Sequence, residues 1–103
     1  MADPMRVRAI ETAGVTEVKI LMKHDMETGL RKDAAGKAIP AHFIQGVTVK
    51  HKDKEVFVAQ FGPSISKDPF LSFKFKGAVK GDKVSVTWVD NMNDKRTDES
   101  VVA

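Results

Sequence analysis

The sequence predicts an all-β fold, an immunoglobulin-like antiparallel β-sandwich of about seven strands. Three observations point to it. Short runs of alternating apolar and polar residues, rich in β-branched and aromatic side chains, recur along the chain with turn-forming residues between them. No window sustains a helical apolar period; the best candidate, Met26 to Ala38, is interrupted by Gly29 and Gly36 and holds at most one turn of helix. The length, 103 residues, closes one core and cannot divide into two, so residues 1–103 form a single domain.

Seven runs qualify as strands: Met5–Glu11, Val15–Met22, Ile39–His51, Glu55–Phe61, Phe70–Lys76, Lys83–Asp90 and Lys95–Val102. The breaks carry Ala13-Gly14, Lys52-Asp53-Lys54, Gly62-Pro63, Asp68-Pro69, Lys80-Gly81-Asp82 and the stretch from Asp90 to Asp94, all rich in residues that tolerate or enforce turns. Val84, Val86 and Trp88 share one face of the sixth run, which makes Trp88 a core anchor. In the fifth run Leu71, Phe73 and Phe75 share the core face, leaving Phe70 outward with Ser72, Lys74 and Lys76. The fourth run, Glu55–Phe61, is unusual in having two apolar faces, Val56 and Val58 on one, Phe57, Ala59 and Phe61 on the other. Either the long 24–44 segment folds back over the second face or a partner covers it.

Composition narrows the chemistry. Hydrophobic residues make up 42% and charged residues 30%, the balance of a folded domain rather than a disordered chain. The net charge is +3, but 17 basic residues are interleaved with 14 acidic ones, which describes a solvated surface better than a phosphate track. Cysteine is absent, and with it disulfides, thiolate metal sites and cysteine nucleophiles. The first residues lack the apolar run of a signal peptide, and no stretch approaches the roughly 20 apolar residues of a membrane span, so the sequence alone reads as cytoplasmic and predicts no membrane partner.

The most irregular stretch is 24–44, where His24, Asp25, Glu27 and His42 stand near Leu30, Arg31 and Lys32. The ligand types suit a metal, but the tight His-x-x-x-His spacing that puts two ligands on one helical face is missing, so the expectation is local hydrogen bonding and no metal or cofactor. The carboxylates fall mostly in turns, where water keeps them ordinary, and Ser64 and Ser66 have no nucleophile signature around them; no catalytic residue is predicted. Phe73-Lys74-Phe75-Lys76 superficially suits single-stranded nucleic acid, yet strand parity turns the aromatics away from the lysines, so none is expected to bind.

Three segments, Met26–Ile44 (METGLRKDAAGKAIPAHFI), Gly62–Gly77 (GPSISKDPFLSFKFKG) and Gly81–Glu99 (GDKVSVTWVDNMNDKRTDE), resemble in order and spacing the SoxZ family. The first is the most specific. The resemblance implies an immunoglobulin-like, non-catalytic subunit of the SoxYZ carrier of thiosulfate oxidation, bound as a heterodimer or higher assembly to a SoxY-like subunit. Sulfur intermediates ride covalently on a cysteine in that subunit's C-terminal arm while other Sox enzymes touch the complex transiently. It also implies a periplasmic location, reached without a signal of its own by export with the signal-bearing partner. Within that expectation Phe57, Phe61 and Phe70 supply apolar contacts, and His24, Met26, Leu30 and Arg31 form a recognition edge. The rival expectations are a free-standing sandwich binding module, which would behave as a stable monomer, and a small basic single-strand binder, which would retain single-stranded nucleic acid in a salt-dependent way.

Overall fold

Valine and isoleucine at alternate positions build the centre of the molecule. In the computed structural model, which describes residues 3–103, seven strands form: β1 (Arg6–Thr12), β2 (Val15–Leu21), β3 (Ile44–His51), β4 (Lys54–Gln60), β5 (Phe70–Lys76), β6 (Lys83–Asp90) and β7 (Lys95–Val101). They make a three-stranded antiparallel sheet in the order β1-β2-β5 and a four-stranded one in the order β4-β3-β6-β7. The expected sandwich is observed, and no helix occurs among the described residues.

The inward set is what a period of two dictates. Val18 and Ile20 of β2, Val47 and Val49 of β3, and Val84, Val86 and Trp88 of β6 are all buried, with Met22 and Ile44 extending the core toward one end. Each such side chain contributes on the order of 1.5–3 kcal/mol by leaving water. Two hairpins are closed by two-residue loops with both φ positive, Ala13-Gly14 (53° and 83°) and Lys52-Asp53 (51° and 64°). That twist matches the right-handed twist of the flanking strands.

The two sides of the sandwich differ. On one side β1 and the chain's end are stitched together: Ala103 N–H donates to Ala9 O at 2.8 Å, Glu11 N–H to Ala103 O at 2.9 Å, and Met5 N–H to Asp98 Oδ2 at 2.9 Å. On the other side β4 and β5 are both edge strands, each paired on one side only. They meet through side chains, with Phe57 stacked on Phe73 at 4.3 Å and 9° and with Phe61, Leu71 and Phe75 half-buried around them.

Two expectations are corrected. The predicted strand Ile39–His51 begins only at Ile44; ahead of it, His42 joins an isolated bridge with Glu27, and Ala38, just before the predicted start, one with Lys32. Pro40 has no N–H to give a ladder, so the run cannot extend β3 backward. In β4 the register passes from Val49↔Phe57 to Lys50↔Glu55, leaving Val56 in a bulge and packed against the core. The second apolar face therefore reduces to Val58, 57% exposed, and neither arm of the 24–44 segment covers it. Phe57, Ala59 and Phe61 point to the opposite sheet.

Trp88→Ala should cost about 3–5 kcal/mol in urea or guanidinium unfolding, the range for a truncated buried aromatic. Val58→Ala should stay within about 0.5 kcal/mol of wild type, because its side chain is already wet.

Candidate functional site

The densest polar cluster lies at the end of the sandwich where β2 leaves, β3 enters and β6 turns into β7. Asp90 is the last residue of β6 and only 1% exposed. Its Oδ1 accepts the backbone N–H of Met92 at 2.9 Å and of Asp94 at 3.0 Å, which folds the β6–β7 turn. Its Oδ2 faces back across the sheets and accepts from His24 Nε2 at 3.0 Å and His42 Nε2 at 2.7 Å.

Each histidine is placed by backbone. His24, two residues past Met22, is tied to the β4–β5 loop: its N–H donates to Asp68 Oδ1 at 3.1 Å, and its carbonyl accepts Asp68 N–H at 3.0 Å. His42 sits in the bridge with Glu27, and Asn91 clamps the residues on either side. Asn91 Nδ2 donates to Ala41 O at 2.8 Å, and Asn91 Oδ1 accepts Phe43 N–H at 2.8 Å. The two imidazoles meet edge to face at 4.5 Å, and His24 stands perpendicular to Trp88 at 5.1 Å.

A carboxylate only accepts, so both Nε2 atoms carry protons. His24 is held in that tautomer from its other side, because Nδ1 accepts the Met26 N–H at 3.0 Å. His42 differs: its ring is 36% exposed and its Nδ1 has no hydrogen-bond partner among the described residues. Burial alone would push the Asp90 carboxyl up, but the two imidazole N–H groups and the N–H groups of Asp94 and Met92 outweigh it and hold the group below the ordinary aspartate range.

Ligand-type atoms of His24, His42 and Asp90 lie within 4.8 Å of one another, close enough to surround a metal ion. The surroundings do not suit one. A histidine ligand through Nε2 must release that proton and normally donates its other N–H to an acceptor. His24 Nδ1 faces a donor, the Met26 amide, so coordination would set N–H against N–H. The arrangement is that of a hydrogen-bonded hub.

A second histidine–aspartate pair closes the opposite end of the β3–β6 pair. His51 Nε2 lies 2.8 Å from Asp82 Oδ2, which also accepts Val79 N–H at 3.1 Å, with Lys52 at 3.8 Å. The His51 hydrogen bond, followed by that of Val79, lowers the Asp82 carboxyl below its ordinary value.

The residues singled out in sequence separate into three groups. His24 and Met26 are buried, at 7% and 5% exposure, so they support the 24–31 segment from beneath and present no side-chain edge. Leu30 (88% exposed), Arg31 and Phe70 (59% exposed) are on the surface, with Arg31 paired to Glu27 at 2.7 Å and 2.9 Å. Arg31 accordingly lowers the Glu27 carboxyl. Phe57 and Phe61 are half-buried in the β4–β5 seam. The expectation that the histidines bond locally holds for His24 Nδ1, which accepts from Met26, and is corrected for both Nε2 atoms, whose common partner lies 66 and 48 residues away. Asp90 was the residue missed; ending an apolar run just before Asn91-Met92-Asn93, it looks in sequence like an ordinary turn aspartate.

Fold and cluster together define a cysteine-free immunoglobulin-like sandwich whose buried polar centre is built from hydrogen bonds rather than from a nucleophile or a metal-ready shell. The sequence profile of the family described as sulphur oxidation protein SoxZ matches residues 5–101, and the chain belongs to that family, a subunit of the Sox sulfur-oxidation system. No curated protein sequence matches it. Among solved structures it is similar to a superoxide reductase (neelaredoxin) from Ignicoccus hospitalis, with a TM-score of 0.64 and 12% identity over 98% of this chain and 80% of that one. A mutant superoxide reductase (neelaredoxin) from Archaeoglobus fulgidus in the reduced form gives a TM-score of 0.61 and 18% identity over 99% of this chain and 90% of that one. At such identities the likeness concerns the fold alone.

Asp90→Asn should cost about 3 kcal/mol, because the amide aims a donor at N–H groups already committed, and should lower Tm by roughly 12–24 °C. The pH dependence follows from the depressed Asp90 and Asp82 carboxyls. Their stabilisation is complete above the unfolded aspartate value near ~4 and is lost as pH falls through the lower folded values. Urea midpoints measured from pH 7 to pH 2.5 should therefore fall with acid in the wild type, and the gap to Asp90→Asn should narrow.

Proposed function

We propose that this chain is the non-catalytic scaffold subunit of a SoxYZ-type sulfur carrier, holding a SoxY-like subunit whose arm cysteine bears the covalent sulfur intermediates of thiosulfate oxidation. The observation that carries this is the pairing of sulfur-oxidation family membership with a complete absence of cysteine. Covalent sulfur carriage needs a thiolate, so the sulfur-bearing group has to come from another chain. What remains for this one is to bind, orient and present.

Surface chemistry supports a protein partner. Phe70 and Val58, on the β5 and β4 edges, and Leu30 and Ile65, on the neighbouring loops, are all exposed apolar side chains. Permanent subunit interfaces typically bury about 2,000 Å² or more and are more apolar than ordinary surface. Phe73 and Phe75 pack against the core while Lys74 and Lys76 face water, an arrangement that removes the aromatic platform a single-stranded nucleic acid would need. The complex is periplasmic in this proposal, this chain being exported in company with its partner.

Purification of the native protein should bring down a cysteine-containing subunit, and intact mass after thiosulfate exposure should place the added sulfur on that subunit and never on this chain. Phe70→Ala and Leu30→Ala, both at exposed positions, should leave Tm unchanged while weakening the complex by about tenfold or more. Undiminished binding in the double variant would remove these residues from the interface, and recovery of the native chain as a monomer would sink the carrier proposal itself.

A further inference from the structure

The Asp90 hub is asymmetric in its capacity for protons. Its carboxylate accepts four N–H groups, yet among the described residues no lysine or arginine pairs with it, so a full negative charge is buried among neutral donors. A protonated imidazole is the cation within reach. His24 is barred from that role, since a proton on Nδ1 would collide with the Met26 amide N–H. His42 is not barred. Its Nε2–H is fixed on Asp90, and its free Nδ1 belongs to a ring lining an open pocket of ≈ 330 Å³. A carboxylate behind an imidazole holds its orientation and stabilises the cation formed when the far nitrogen takes a proton.

The charged groups around the pocket are of both signs. Asp3, Asp25 and Asp94 line it, as does Lys67; Lys23 is drawn to Asp68 at 3.9 Å. Glu27, across the backbone bridge from His42, is occupied by Arg31. Among the described residues, His42 thus brings to the pocket lining a ring with one imidazole nitrogen free of hydrogen bonds, and Lys67 is the lining cation not drawn into an ion pair; a neutral, weakly acidic group that can surrender a proton suits that nitrogen.

We propose that His42 is a proton acceptor for a thiol delivered into this pocket by the partner subunit, with Asp90 as its positioning residue. This rests on the proposed function, which supplies the thiol that the chain lacks. The S–H bond breaks heterolytically, its proton forms the Nδ1–H bond of His42, and the electron pair stays on sulfur. No electron is transferred and no further reactant is required. The product is a thiolate beside an imidazolium anchored to Asp90, and the thiolate is the nucleophilic form of sulfur.

The test is alkylation of the partner's thiol by iodoacetamide in the purified complex, followed from pH 5.5 to 9 with wild type and His42→Gln. Glutamine keeps an N–H for Asp90 and loses the base. The expected result is a profile moved to higher pH, with the rate at pH 6.5 reduced about tenfold for each unit of movement, at unchanged subunit stoichiometry. Superimposable profiles in intact complexes overturn the assignment while leaving the proposed function standing. A wild-type preparation without a thiol-bearing subunit overturns both, and is recognised before any alkylation. A second measurement is independent of the variant's folding: nitrogen NMR of the complex with this chain alone labelled. His42 should gain its second proton on acidification while His24 keeps only the Nε2 proton; the reverse order of protonation overturns the proposal.

Discussion

A single buried carboxylate organises the end of this molecule. Asp90 joins three segments through its side chain: the exit of β2 through His24, the approach to β3 through His42, and the β6–β7 turn through Met92 and Asp94. Burying an unpaired carboxylate would cost far more than any single contact returns, and here four aimed donors offset it. Asparagine is a poor substitute because its amide nitrogen has nothing to donate to, and an apolar residue would orphan two imidazoles and two turn amides. The 24–43 segment has only isolated bridges of its own, so this anchor and the Asp68 pair decide its course.

The strand pair β3–β6 is consequently fastened at both ends, by His42–Asp90 at one and His51–Asp82 at the other. One flank is closed by β1 and the returning chain end, leaving the β4–β5 flank as the side with unpaired edges. Those edges are not bare templates for aggregation. A bulge at Val56 interrupts β4, and Lys54, Lys74 and Lys76 place charge along both strands. What stays accessible is selective: a few exposed apolar side chains beside a stacked Phe57–Phe73 pair. A rigid frame with one permissive flank fits the scaffold role proposed above.

Strand existence and parity were legible in sequence because they depend on a local period. Val84, Val86 and Trp88 inward, and Phe70 outward from Leu71, Phe73 and Phe75, follow from alternation and are observed. The bulge was not legible, since Val56 is as good a strand residue as Val58 and only pairing with β3 reveals the extra position. Nor was the hub. His24 and His42 drew attention as polar residues in an irregular stretch, but their common partner lies in a different strand, and the pattern 90–94 advertises a turn whether or not its aspartate is buried. The turn chemistry and the hub use different oxygens of one carboxylate, and sequence shows only the first use.

Two histidines and an aspartate converging at one point invite a metal interpretation, and a shared fold with proteins named superoxide reductases makes it tempting. Fold likeness at 12–18% identity carries no such inference, because the same framework accommodates unrelated sites. The decisive feature is one backbone amide. Met26 is buried and donates its N–H to His24 Nδ1 at 3.0 Å, which takes that nitrogen out of use for coordination or for a second proton. With His24 spent, the cluster retains a single free valence, the Nδ1 of His42, which is too few for a metal shell and sufficient for one proton. The chemistry open to this site is set by where that amide points, not by the inventory of ligand-type residues around it.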